Sequence, residues 1–251
     1  MRETLGLLRS LIVYRRPGRQ AALRQMYAPF VGAGDLVFDI GAHVGDRTRA
    51  FASLGARVIA LEPQPHVLRW LRRFEEGRAG VTLLPVAAGA EAGVAHLAVS
   101  AANPTVSTLA VDWTRRITRS NPTFEGVHWD QTIEVEVTTL DALIATHGIP
   151  RFCKIDVEGH EAEVLSGLST ALEGLSVEFV AGTLDVARAC VLRLGQLGDY
   201  EYNVVRGEGR RFAFAEWQTP KQIADWFVAG AGSASSGDLY ARLVSNHEDS
   251  Q

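Results

Sequence analysis

A chain of 251 residues is long enough to bury a full α/β core, and one domain with appendages accounts for it. Its 25 Lys and Arg against 29 Asp and Glu leave a net charge of −4, so no global field draws it to nucleic acid. Two cysteines, Cys153 and Cys190, supply no disulfide framework and fit a reducing cytoplasm, which is the expected location.

Residues 1–34 read as a helical lead-in, broken at Pro17 and Gly18 and ended by Pro29 and the glycines near 32–34. Within it, residues 5–13 are apolar but interrupted by Arg9 and Ser10, and too short to cross a bilayer. They read as an amphipathic helix with no stable membrane insertion. Residues 35–245 form the main domain. Residues 36–40 are an apolar run holding one acid, which fits a strand buried on both faces. A glycine turn follows at 41–45, then a helix from about Asp46 to Leu54. Residues 57–61 are a second strand closed by Glu62 and Pro63. The helix at 65–76 places Val67, Leu68, Leu71 and Phe74 at helical spacing. Residues 81–86 are a third strand, and Ala87, Ala88 and Gly89 at its end leave room for a flat ring.

The simple rhythm then breaks. Residues 94–99 and 132–138 predict a hairpin-like pair or an edge extension. Between them lies a polar loop with Trp113, Arg115, Arg116, Arg119 and Trp129. An insertion of this length, at about 94–138, is read as a substrate lid, with a plain surface loop as the equal alternative. Residues 140–146 predict a helix, 152–157 strand four, 158–172 a helix, 176–180 strand five and 186–197 a helix. Residues 200–205 are strand six, 220–229 a helix and 238–243 a last strand. This alternation predicts a doubly wound, mostly parallel sheet with helices on both faces. Ligands of such sheets sit beyond the carboxyl ends of the strands, where Asp39, Glu62, Ala87 and the Asp156 region converge.

The turn after strand one carries the first chemistry. Gly41 and Gly45 permit a tight turn and a close ligand approach, and the helix that follows aims free N–H groups at that ligand. An acid about twenty residues on, Glu62, suits ribose hydroxyls. The spacing is G-x-x-x-G, not the dinucleotide G-x-G-x-x-G, and Asp39 stands two residues before the first glycine. A pyrophosphate disfavours so close a carboxylate, whereas the ammonium and sulfonium of S-adenosylmethionine accept one. The reading therefore favours a methyl donor over NAD, with a ligand-free structural turn as the bland alternative. His43, inside the turn, either faces the ligand or caps the helix.

The second cluster runs Lys154-Ile155-Asp156-Val157-Glu158-Gly159-His160-Glu161. If the strand continues through it, Lys154, Asp156 and Glu158 share one side. Methyl transfer to a hydroxyl oxygen needs loss of a proton, so a carboxylate or His160 suits a general base. Lys154 suits orienting the acceptor oxygen or stabilising negative charge. Two carboxylates and His160 also permit a divalent ion such as magnesium without requiring one, and no residue is assigned as its ligand. The structural alternative is an ion pair at a helix start. Glu178 sits near another strand end, as part of an acidic rim or as an edge residue. Trp70 reads as core or interface, and Cys153 as a buried strand residue with no base beside it.

Four blocks together resemble the FkbM-type S-adenosylmethionine-dependent methyltransferases. They are residues 37–45, residues 61–65, Thr138-Thr139-Leu140-Asp141, and residues 154–161. The resemblance spans about residues 35–180. The first two blocks are generic to class I methyltransferases, while the last, after a Thr-Leu-Asp block, is specific. The resemblance implies a class I methyltransferase fold, a Rossmann-like seven-stranded sheet with an antiparallel last strand. It implies O-methylation of a hydroxyl or carboxyl on a sugar or secondary metabolite. It implies donor contacts at Asp39, Gly41 and Gly45, with Glu62 on the ribose and Ala87 near the adenine. Ser107 lies in a block resembling one in the family's insertion, over the donor. The donor candidates are then Asp39, Gly41, Ala42, His43, Gly45, Glu62, Pro63, Ala87, Ser107 and Asp156. The catalytic candidates are Lys154, Asp156, Glu158 and His160.

The leading reading is an S-adenosylmethionine-dependent O-methyltransferase acting on a small molecule or sugar, with a homodimer left open. The alternatives are an NAD-dependent oxidoreductase and a catalytically silent methyltransferase-like binding module. A nucleic-acid methyltransferase is disfavoured by the acidic balance, despite the basic patch at Arg115, Arg116 and Arg119.

Overall fold

The computed structural model describes residues 18–244, so the expected helix at residues 5–13 lies outside the described part. The helices are α1 (Arg19–Tyr27), α2 (Asp46–Ser53), α3 (Pro65–Glu75), α4 (Val111–Ser120), α5 (Leu140–His147), α6 (Glu161–Ser166), α7 (Leu184–Leu197) and α8 (Pro220–Val228). The strands are β1 (Leu36–Ile40), β2 (Arg57–Leu61), β3 (Val81–Leu84), β4 (Ala87–Ala88), β5 (Gly93–Val99), β6 (Gln131–Thr138), β7 (Phe152–Ile155), β8 (Gly174–Val180), β9 (Tyr200–Arg206) and β10 (Ser236–Leu243).

Seven strands form one sheet in the order β3-β2-β1-β7-β8-β10-β9. Only β10 runs antiparallel to its neighbours, β8 and β9. That is the strand order and direction of a class I methyltransferase, as the resemblance implied. All five residues of β1 are buried, which explains the unbroken apolar run. Successive side chains take opposite faces. Phe38 and Ile40 join a core with Ile155, Leu165, Leu175 and Leu194. Val37 joins a second core with Tyr27, Phe51, Val58, Phe152 and Tyr240 on the other face. The order of strands reverses direction of travel between β1 and β7, and the crevice opens there at the carboxyl ends.

Several expectations change. Strand β3 stops at Leu84 because Pro85 brings no N–H to the ladder. The expected hairpin pair exists, with Val94 opposite Glu136 and Val99 opposite Gln131, but it forms its own three-stranded sheet. Ala87 and Ala88 join that sheet in parallel with Val137 and Thr138. The polar loop between them holds α4. Its Trp113 and Ile117, four residues apart, bury against Phe124 and Val180, and the Trp113 indole N–H donates to Thr183 Oγ1 at 3.0 Å.

The expected helix at 158–172 shortens to the six residues of α6. Glu158 and Gly159 adopt φ of 55° and 90°, so a left-handed turn replaces the first helical turn. The strand before it also ends early, at Ile155. Asp156 and Glu158 therefore stand on a turn and not on a strand. No described helix is long and apolar enough to cross a membrane.

Candidate functional site

Register alone brings the polar residues together. Asp39 on β1 lies opposite Lys154 on β7, and Lys154 lies opposite Ser176 on β8. Two residues further along the same faces come Asp156 and Glu178. Antiparallel β10 then sets Asp238 opposite Glu178. One cavity at this edge is lined from Glu62, Gln64 and Ala87 at one end to Glu178 and Asp238 at the other.

The first end is built on the turn after β1. Gly41 has φ 82°, and a Cβ there would meet the Asp156 carbonyl oxygen at 1.9 Å. Only glycine permits that backbone approach, which joins the two sequence blocks. Gly41 and Ala42 both donate their N–H to Leu61 O. Glu62 Oε2 accepts the His43 N–H at 3.0 Å, and Oε1 accepts the Gln64 N–H at 2.9 Å. Burial pushes the Glu62 carboxyl up to about 7, against the pull of those hydrogen bonds. Asp39, 1% exposed, accepts from Thr48 Oγ1 at 2.5 Å. Burial raises its carboxyl and the Lys154 charge opposes this. Burial lowers the His43 imidazole to about 4, so it is neutral at pH 7.

Ala42, His43, Pro63, Ala87 and Ser107 all line the cavity. Ser107 Oγ donates to Gln64 Oε1 at 2.9 Å, and Gln64 Nε2 donates to Pro104 O at 3.1 Å. The inserted segment is thereby tied to the residue two beyond Glu62. Gly45 is set apart from the rest. It does not line the cavity, and a Cβ there would meet Leu71 Cδ1 at 2.7 Å, so its missing side chain lets α3 pack against the start of α2.

The other end is built on the turn after β7. Lys154 is 2% exposed and its Nζ donates to Asp156 Oδ2 at 2.6 Å. Burial pulls the lysine down and the Asp156 carboxylate outweighs it, so the amine stays charged. Asp156 is held below its ordinary range: burial opposes this, and Lys154 wins. Burial first, then Asp156, pushes the Glu158 carboxyl up, and the same causes raise Glu178. Glu161 is not a free acid. Its Oε1 accepts the Val157 and Gly159 N–H groups at 3.1 and 3.2 Å and shapes the turn. His160 lines the cavity, and burial lowers its imidazole. Gly159 is pressed against Trp113, whose ring a Cβ would meet at 2.3 Å. Cys153 is fully buried, and burial raises its thiol, as a core residue requires.

A family model for the methyltransferase FkbM domain matches residues 39–182. The chain belongs to the FkbM methyltransferase family. The match contains both ends of the cavity apart from Ser236, Gly237, Asp238 and the turn after β9, and it sets aside the nicotinamide alternative. Members are S-adenosylmethionine-dependent methyltransferases. Among curated relatives, this FkbM chain is 30% identical over 148 residues to the hexuronic acid methyltransferase AglP of Haloferax volcanii. That match covers 58% of this chain and 54% of AglP, so the chain spans about half the length of that relative. Among solved structures it is similar to a TehB-like SAM-dependent methyltransferase from Corynebacterium glutamicum, at 8% identity and TM-score 0.48, covering 94% of each chain. It is also similar to Aeropyrum pernix fibrillarin with bound S-adenosyl-L-methionine, at 14% identity and TM-score 0.46, covering 91% of this chain and 75% of that one.

Among the polar residues lining the cavity of this FkbM chain, Gln64, Arg47 and Asp238 do not stand out in the sequence. Gln64 is marked only by its position after the Glu62-Pro63 pair. Arg47 lines the cavity while its guanidinium pairs with Asp46 and Glu208 at 3.1 and 3.6 Å. Asp238 carries in the sequence only the signal of a strand's first residue. An antiparallel strand brings its beginning, not its end, to the edge where parallel neighbours finish.

Proposed function

We propose that this chain transfers the methyl group of S-adenosylmethionine to an oxygen of a sugar or other small metabolite, a uronic acid being the first acceptor class to try. The observation that carries this reading is the backbone contact at Gly41. It sets the donor turn directly against the Lys154–His160 segment, so a methyl group presented past Gly41 arrives at the polar turn. The name of the AglP relative supports the uronic acid choice.

In this reading Asp39, Gly41, Ala42 and His43 hold the amino-acid end of the donor. Glu62 takes the ribose, Pro63 and Ala87 flank the adenine, and Ser107 closes the inserted segment over it. Gly45 acts by packing α2 on α3. The donor supplies an electrophilic methyl group when bound. Lys154 holds Asp156 ionised, so Asp156 orients the acceptor and is a poor proton acceptor. The base for a hydroxyl acceptor falls to neutral His160, which lines the same cavity. A carboxylate acceptor needs no base, only alignment.

The test is incubation with isotopically methyl-labelled S-adenosylmethionine and a panel of hexoses and hexuronic acids, read by mass spectrometry. Label in an acceptor oxygen supports the reading. Donor binding with no transfer to any acceptor favours the silent binding module, and label on carbon or nitrogen overturns O-methylation.

A further inference from the structure

The cavity holds more negative charge than its cations answer. Lys154 is committed to Asp156 at 2.6 Å. Arg47 is committed to Asp46 and Glu208. Glu158, Glu178 and Asp238 have no ion-pair partner among the described residues, yet all three line the cavity. Oxygen atoms of Asp156, Glu158 and Glu178 come within 4.8 Å of one another, the one such group of three among the described residues. Oxygen ligands on opposite sides of a Ca²⁺-sized ion stand about 5 Å apart, so this spacing fits one hard cation.

An acidic cluster is common without an ion, but a second, separate residue points into this one. Asp238 comes from β10, outside that group of three, and is 9% exposed. Among the described residues its side chain has no hydrogen bond and no ion pair, and it lines the same cavity beside Glu178. Glu178 Oε2 is itself buried without a hydrogen-bond partner. Buried carboxylates left without donors are costly unless something supplies charge. No thiol lines the cavity, and an all-oxygen set selects hard ions over zinc or copper.

We propose that Asp156, Glu158, Glu178 and Asp238 form a binding site for a divalent hard cation at the acceptor end of the cavity. With the ion, a site that repels anions becomes one that accepts them. For an acidic acceptor, a point that rests on the proposed methyl transfer to uronic acids, the ion bridges the acceptor carboxylate or paired hydroxyls to the protein.

The test uses the full chain, stripped with a chelator and titrated with Mn²⁺ while the free-ion signal is followed by electron paramagnetic resonance. Saturable, stoichiometric uptake is expected, displaced by Ca²⁺ or Mg²⁺. Glu178→Gln and Asp238→Asn remove charge without removing bulk and should weaken uptake roughly tenfold or more. Circular dichroism and S-adenosylmethionine titration of the same variants should be unchanged. No uptake by the parent chain, or equal uptake by both variants, overturns the site. Mn²⁺ uptake without donor binding would leave the site standing and bring down the methyltransfer reading; donor binding without uptake would do the reverse.

Discussion

The two ends of the cavity use the same side-chain chemistry and finish it differently. At the end proposed for the donor the chain itself answers the lining carboxylates Asp39, Asp46 and Glu62. Glu62 accepts two backbone N–H groups and Asp39 accepts a hydroxyl. At the end proposed for the acceptor Lys154 answers Asp156, while Glu158, Glu178 and Asp238 have no ion-pair partner among the described residues. The difference teaches where ligands contribute to structure. A site with its carboxylates answered is preorganised before binding; a site with charge left over binds something in order to be finished.

The largest expected effect comes from removing the charge that links the two ends. Lys154→Met leaves Asp39 and Asp156 facing each other without a buried cation. Chemical denaturation should show a loss of about 3–5 kcal/mol, the range for breaking a buried pair. A loss below about 1 kcal/mol would mean that the carboxylates simply protonate, and would weaken the contrast between the ends.

Next comes a pH dependence. Glu62 and Glu161 are both raised to about 7 from an ordinary value near 4.5. The folded chain therefore binds these two protons more tightly than the unfolded chain. Their contribution to stability is present below about 4.5 and is lost as pH rises to about 7, by on the order of a few kcal/mol each. Glu62→Gln should remove its share, so the variant gains on the parent chain between pH 5 and pH 8 in donor-free buffer. A parallel pair of stability curves would place Glu62 outside this account.

Donor affinity sharpens the contrast further. Glu62→Ala removes a charge-assisted acceptor worth about 1.5–3 kcal/mol, so S-adenosylmethionine should bind roughly tenfold to a hundredfold more weakly by calorimetry. The same substitution should leave Mn²⁺ uptake untouched. Equal loss of both would merge the two ends into one site. The smallest effect belongs to Trp113→Phe. It keeps the ring against Gly159 and loses the hydrogen bond to Thr183, which should lower stability by about 1 kcal/mol.

Much of this contrast was legible in the residues, and unevenly. The donor end depends on local order: an apolar run, a glycine turn and an acid closing the next strand. Such signals survive in one dimension, and Asp39, Gly41, Ala42, His43 and Glu62 stand together at the cavity. Gly45 shows the limit, because its value lies in the Leu71 side chain of another helix. The acceptor end depends on register. Lys154, Asp156 and Glu158 were readable as a cluster, although alternation suggested a strand where a left-handed turn stands. Asp238 was not readable, since its neighbour Glu178 is sixty residues away and only antiparallel pairing joins them. Helix α4 was hidden for a different reason. Two apolar residues, Trp113 and Ile117, carry its buried face, among threonines and arginines that read as loop.

As proposed, the donor site is complete in the chain and independent of the acceptor end. Calorimetric titration with S-adenosylmethionine in chelator, repeated with Mn²⁺, tests it most directly. The account predicts saturable one-to-one binding of equal affinity in both buffers, and the same affinity for Glu178→Gln. Absence of donor binding in both, or binding that appears only with the metal, would contradict it.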